Sequence, residues 1–426
     1  MSSRPVADSQ LRDPPEEVLC GGDEFVRGWA VLLACFLGVA FGVSSLYFYT
    51  IGIFLKPIAA EYGWSRTVLA EGTLASVVSL AAMAPLVGAL ADRVSLRWFA
   101  VLSMLGLASG LWSMSHLPRS IGAYLGMTAL VSIGSAGTTP VLFTRLVNQW
   151  FHRSRGLALG ITLAGTGITG AIAPGLLADY VGVHGWRAGF FALAIAVLAA
   201  APAVGLLIRE RPPSEHSPIA NRSIAGFQDT AAADAGAAFT DAARTPRFWL
   251  LAAVFFCASL GVGSVIVHFV PMLTDAGLSP AAAGRTAGLI GLAVIVGRVA
   301  SGALIDRISA PRIATALFAI AAAGCVALAG GGVRVAPAAA VMVGLAMGAE
   351  VDLIGYLVAR YFGMRSYGII YGCQYTAFLI GTALGPLAAA TLFDARGTYT
   401  AALCASATAL GTASLLSTRL PRICRV

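Results

Sequence analysis

One arginine stands where an arginine is costly. Arg298 lies inside the apolar run 282–305, eight residues before Asp306, or about 12 Å along a helix rising 1.5 Å per residue. An Arg at the centre of a membrane helix costs roughly 2.5–3.5 kcal/mol on insertion scales, so it must be paired or put to use. Its planar guanidinium matches a carboxylate with two parallel hydrogen bonds, which makes a substrate carboxylate clamp the functional reading. A permanent internal ion pair, or a side chain reaching back to the membrane surface, is the structural one. Two acids lie at similar depth. Glu350 and Asp352, in the run 335–359, are ten and eight residues from Arg360, about 15 and 12 Å along a helix. Two positions apart, they point roughly 200° from each other and cannot both face one cavity. One of them pairs with Arg298 in the empty state or takes a proton, because a lone buried carboxylate charge is costly. A fixed structural ion pair is the alternative.

Other side chains could line the same space. Tyr371, Tyr375, Phe378 and Thr382 are spaced i, i+4, i+7 and i+11, one face of a helix. Gln374 adds an amide on that helix, and Tyr47 and Tyr49 sit on the first apolar run. A hydroxyl-bearing aromatic wall suits a small organic anion, although such stripes also arise from plain packing. We take Tyr49, Tyr371, Gln374 and Tyr375 with Arg298 as substrate-binding candidates. Glu350, Asp352 and His268 are the candidates for proton coupling.

These residues need elements that cross a bilayer. The chain has 426 residues, 58% hydrophobic and 11% charged. Soluble domains carry about 25% charged residues, so this chain cannot cover a water-facing surface. Its apolar residues fall into twelve blocks between 28 and 418, each close to the ~20 residues that span a membrane core. A polar gap at 209–246, with Pro212, Pro213 and Pro218, divides them six and six. The expected segments are a disordered tail at 1–27, a six-helix bundle at 28–208, a linker at 209–246, a second bundle at 247–418 and a tail at 419–426. The single lysine, Lys56, precedes Pro57, so the chain holds no P-loop. The seven cysteines show no CxxC pair, which indicates neither a disulfide framework nor a metal site. The basic residues lie at helix ends and not in one patch, against a nucleic-acid partner. Twenty of them fall on the side of the N-terminus and seven on the other, with Arg298 inside a helix. That asymmetry places both termini in the cytoplasm of a cell whose inner (plasma) membrane holds the chain.

The halves repeat. Gly88-Ala-Leu-Ala-Asp92-Arg93 ends the second block and Gly302-Ala-Leu-Ile-Asp306-Arg307 ends the eighth. Trp150-Phe151 with Arg153 and Gly156 is echoed by Tyr361-Phe362 with Arg365 and Gly368. Duplicated halves joined by a long linker are a common plan of secondary transporters, with the site between the halves near mid-membrane. With the Gly88-xxx-Asp92-Arg93-xxx-Arg97 loop, this chain resembles the major facilitator superfamily. It departs in having Ser95 where a second Gly is usual. The fifth block, with Gly165, Gly167, Gly170, Pro174 and Gly175, is similar to that family's glycine–proline motif. The run Tyr49 to Pro57, followed by Glu61-Tyr-Gly63-Trp64-Ser65-Arg66, looks like the monocarboxylate and oxalate–formate carrier branch. The resemblance implies an Arg on helix eight that holds the anionic substrate, here Arg298. Monocarboxylate carriers have an Asp one turn before this Arg, where this chain has Val294. The oxalate carrier has a Lys on helix eleven, which this chain lacks, so oxalate is disfavoured.

The expectation is an all-α membrane protein of twelve helices in two pseudo-symmetric six-helix bundles. It would move a small organic anion, a monocarboxylate first, by alternating access, with proton symport or anion exchange. Its partners would be that anion, a proton or counter-anion, and membrane lipid; it would act as a monomer without a cofactor or metal. Gly88, Asp92, Arg93 and Arg97, with Gly302, Asp306 and Arg307, would tie helix ends together in one access state. Small faces on helix five (Gly156, Gly160, Ala164, Gly167, Ala171) and helix eight (Gly284, Gly288, Gly297, Ser301) would form a seam between the halves. A proton-driven exporter of hydrophobic drugs is the first alternative, and Arg298 argues against it. A receptor lacks a recognisable signalling domain, and an enzyme lacks an HExxH motif or a nucleophile elbow.

Overall fold

A computed structural model describes residues 21–210 and 236–421. Most of the expected tails and of the 209–246 linker, with Arg211, Arg222, Arg422 and Arg425, lies outside the described residues. Among the described residues, ten helices are long and apolar enough to cross a membrane. Two of the twelve expected spans are hidden by how the chain bends. The helix Arg155–Leu207 holds two of them, separated at Gly185, whose φ of 83° breaks the helical path. The fourth span is interrupted: Ile121–Gly134, a 3-10 turn at Ala136–Thr138, then Pro140–Trp150.

We number the spans α1 to α12. Helix α1 runs through Gly21–Ala40, a π-helical Val43–Tyr47 and Phe48–Tyr62. Then come α2 (Arg66–Ala91), α3 (Leu96–Ser115), α4 as above, α5 (155–184) and α6 (186–207). The second half holds α7 (Pro246–Asp275), α8 (Pro280–Ile305), α9 (Ala310–Gly331), α10 (Ala336–Phe362), α11 (Tyr367–Arg396) and α12 (Thr400–Thr418). Two expected boundaries move. Residues 21–27 belong to α1, where the Glu24 carboxylate accepts from the backbone N–H groups of His152, Arg153 and Ser154. The end of the linker is also ordered: Ala237 donates to the Phe362 carbonyl at 2.8 Å, and Phe239–Arg244 form a short helix. Polar composition alone did not reveal these backbone partners.

The outer surface of each half is apolar, as a lipid-facing surface must be: Leu102, Leu130, Leu176, Leu206, Leu387 and Leu415 are exposed. The halves meet chiefly along two seams, α5 with α8 and α2 with α11, with smaller contacts of α10 and α11 on α4 and of α10 on α5. Both seams are drawn close by glycine. A Cβ at Gly160 would lie 2.6 Å from the Arg298 carbonyl oxygen, and Gly88 packs its backbone directly on Gly368. The α5–α8 seam is not the one expected on the α8 side. Gly302, Arg298 and Ile295 face α5, whereas Gly297 turns to Leu345 of α10 and Gly284 and Gly288 face open space. The reason is angular, since adjacent positions differ by about 100°; Gly297 lies one residue off the 295–298–302 stripe.

Candidate functional site between the halves

Arg298 is held by its backbone before its side chain is considered. Gly160 of α5 approaches its carbonyl, and a Cβ at Gly348 of α10 would lie 3.0 Å from its nitrogen. The side chain is 5% exposed. Its Nη1 donates to Oδ1 of Asp352 at 3.3 Å, closing an ion pair between α8 and α10. Asp352 is therefore the acid that faces Arg298. Glu350, also buried, lies within the field of the same guanidinium without a hydrogen bond to it.

The pair is incompletely satisfied. Nε of Arg298, Oδ2 of Asp352 and Oε1 of Glu350 are buried and have no hydrogen-bond partner among the described residues. Such groups are costly: the Nε–H of Arg298 can donate to a bound anion or water, and the two carboxylate oxygens can accept from water or take a proton. A carboxylate can accept from Arg298 while Asp352, released, takes a proton. Tyr49 of α1 and Tyr375 of α11 lie in the field of Arg298. The Tyr375 hydroxyl reaches Ser44 of α1 at 3.4 Å. The cluster thus draws on both halves.

Breaks in α1 and α4 shape its other wall. Around Gly42 the helix gives up regular hydrogen bonding, and the Val43 N–H donates instead to Oγ1 of Thr138 at 2.9 Å. Non-helical backbone inside a membrane is tolerated where protein supplies its partners. Ser44 and Thr138 were not singled out in the sequence. Their signal was the pairing of Gly42-Val-Ser-Ser45 with Ser135-Ala-Gly-Thr138-Thr-Pro140.

Two candidates lie elsewhere, and a third, Tyr371, adjoins the cluster through the Tyr375 ring. Gln374 donates from Nε2 to the Phe248 carbonyl at 3.2 Å, toward the start of α7. His268 bonds the Pro386 carbonyl through Nε2 at 3.0 Å and packs near Tyr399. Tyr371 is wholly buried in a row of rings running Tyr367, Tyr371, Tyr375 and Phe378. Its hydroxyl has no partner. The adjacent Tyr367 donates to Oγ1 of Thr144 in α4 at 3.0 Å.

The repeated loops close one end of the molecule. Oδ1 and Oδ2 of Asp92 accept from the N–H groups of Gly368 and Ile369 at 2.9 and 3.1 Å, the first turn of α11. Asp306 does the same for Gly156 and Leu157 of α5, at 2.8 and 3.0 Å. Each carboxylate thus caps a helix of the other half, where free N–H groups and the helix dipole favour negative charge. Burial at this seam raises the Asp306 carboxyl above its ordinary range, and the two N–H donors pull it back. The basic partner of Asp92 is Arg145 of α4, not the neighbouring arginines. Arg93 is exposed, and the Arg97 guanidinium lies over Trp98 at 5.7 Å. Asp92 faces α11 and leaves its own loop's arginines outside.

A sequence profile of the Major Facilitator Superfamily matches residues 37–386. The chain belongs to that superfamily, which makes it a membrane transporter and not an enzyme. Among curated relatives, riboflavin transporter RibJ of Trypanosoma brucei brucei is 33% identical over 158 residues, 35% of this chain and 27% of its own length. The chain therefore spans about a quarter of that relative. Monocarboxylate transporter 13 of Bos taurus is 28% identical over 67% of this chain and 63% of its own length. The fold is similar to that of FucP in its outward conformation (TM-score 0.73, 14% identity, 94% of this chain and 100% of that one). It is also similar to the human organic anion transporter MFSD10 (TM-score 0.69, 19% identity, 95% and 100%).

Proposed function

We propose that the chain is a secondary active carrier of a small organic anion, a monocarboxylate first, working by alternating access as a monomer. The observation that carries the reading is the buried Arg298–Asp352 pair with unused hydrogen-bonding atoms on both members. Substrate carboxylate takes Arg298 through the planar guanidinium. Asp352, losing its partner in a dry site, then binds a proton, and when anion and proton leave it pairs with Arg298 again, which couples the two events. Similarity to monocarboxylate transporter 13 supports this choice of substrate. Tyr49 and Tyr375 would hold the rest of the anion, with Glu350 as a second acid in the same field.

The end bearing Asp92 and Asp306 is the cytoplasmic gate, closed in this arrangement, and both termini lie on that side of the inner (plasma) membrane. Opening requires both carboxylates to leave the helix starts they cap. A second reading, a flat aromatic substrate, rests on the Tyr371–Tyr375–Phe378 row and on the RibJ match. Uptake of radiolabelled monocarboxylates into proteoliposomes carrying an imposed pH gradient tests the first reading. Accumulation should follow the gradient in wild type and vanish in Arg298→Ala. Riboflavin uptake with no carboxylate uptake would replace the first reading with the second.

A further inference from the structure

Away from the seam, α3 and α6 leave a groove on the lipid-facing surface. It is lined by Arg97, Trp98, Val101 and Leu105 from α3 and by Leu198, Pro202 and Gly205 from α6, among others, and has a volume of about 320 Å³. The two stripes run antiparallel, so the Arg97 end of the α3 stripe lies toward the Leu206 end of the α6 stripe. Eight residues of α3 give it a length of about 12 Å, directed from the helix end toward mid-membrane. Its depth comes from Gly205, where a Cβ would meet Cγ2 of Val101 at 2.8 Å. The walls are apolar and the mouth is basic. Trp98 is 61% exposed and carries the Arg97 guanidinium on its face. Arg93 and Arg209 are exposed at the same helix ends. Among the described residues two acids stand near these arginines, and both are engaged: Asp92 pairs with Arg145 and caps α11, and Oε1 of Glu210 accepts from the Ser95 hydroxyl and the Arg97 N–H at 2.7 and 2.8 Å.

We propose that this groove is a binding site for an anionic phospholipid, one acyl chain lying between α3 and α6 and the phosphate at Arg97. The occupant follows from position and charge. The groove opens to hydrocarbon, where an acyl chain is the available ligand, and its basic mouth with an interfacial Trp sits at headgroup level. Basic pockets between membrane helices are known to take anionic headgroups. The site lies within one half, so a lipid there stiffens α3 against α6 without touching the seam, whatever the carrier moves.

The test uses the intact protein in phosphatidylcholine nanodiscs doped with brominated phosphatidylglycerol or, at the same mole fraction, brominated phosphatidylcholine. Trp98 emission is isolated as the difference between wild type and Trp98→Phe. Phosphatidylglycerol should quench it severalfold more strongly than phosphatidylcholine, and Arg97→Gln should erase the difference. The Arg97 backbone contact to Glu210 survives that change, so the variant keeps its helix start. Gly205→Leu, which fills the groove, should reduce quenching by both lipids. Equal quenching of wild type by the two lipids, or an unchanged preference in Arg97→Gln, would overturn the proposal.

Discussion

Arg298 and Asp352 are coupled, so their variants should not behave alike. Removing one member of a buried pair leaves an uncompensated charge and costs about 3–5 kcal/mol, while replacing both with apolar groups is often neutral. Arg298→Ala strands Asp352, which can escape by taking a proton; Asp352→Ala strands a guanidinium, which cannot. Asp352→Ala should therefore melt lower than Arg298→Ala, and Arg298→Met/Asp352→Leu should recover most of the loss. Equal melting of the two single variants would argue against a paired, buried charge. In transport, Asp352→Asn should abolish accumulation driven by a pH gradient while sparing anion exchange. Loss of both activities would make the pair structural. Glu350→Gln separates the two acids: if it alone removes proton coupling, the coupling acid is Glu350 and not the residue bonded to Arg298.

At the scale of elements, closure of one end depends on two caps and on glycine contacts. Hydrogen bonds to a charged acceptor contribute roughly 1.5–3 kcal/mol, so Asp92→Asn and Asp306→Asn should each loosen the end they close. Spin-label distances between the start of α5 and the end of α8, and between the end of α2 and the start of α11, should lengthen in each variant and lengthen most in the double variant. Unchanged distances would show that glycine packing suffices without the caps. Gly160→Leu should have a larger effect, because it forces α5 away from the Arg298 backbone. Not all of this was legible in the sequence. The repeated Gly-xxx-Asp-Arg words marked the two segments that carry the caps, because the chemistry sits in one short stretch, but not that the carboxylates cap helices. Their partners did not show, since Arg145 lies more than fifty positions from Asp92, and Gly368 lies in the opposite half. The α8 seam was misread because small residues recur on more than one face of that helix.

At the scale of the whole molecule, the architecture was the most legible feature. Block length and apolarity fix spans, and duplication fixes the halves. What composition could not supply was continuity: the bend at Gly185, the break at Gly42 and the 3-10 turn after Gly134 depend on partners in space. The same holds for Arg298. An Arg in an apolar run is visible in one dimension, but the choice between Glu350 and Asp352 is a rotation of α10 against α8. The central claim, that this arginine anchors a substrate carboxylate, is tested most directly by thermal shift. Purified wild type and Arg298→Ala are melted against small monocarboxylates, dicarboxylates, riboflavin and hydrophobic cations. A ligand at 100 times its Kd stabilises by about 2.7 kcal/mol, large enough to read. A monocarboxylate that raises the melting temperature of wild type and not of Arg298→Ala is the predicted result. Stabilisation by hydrophobic cations or riboflavin alone, undiminished in the variant, would contradict it.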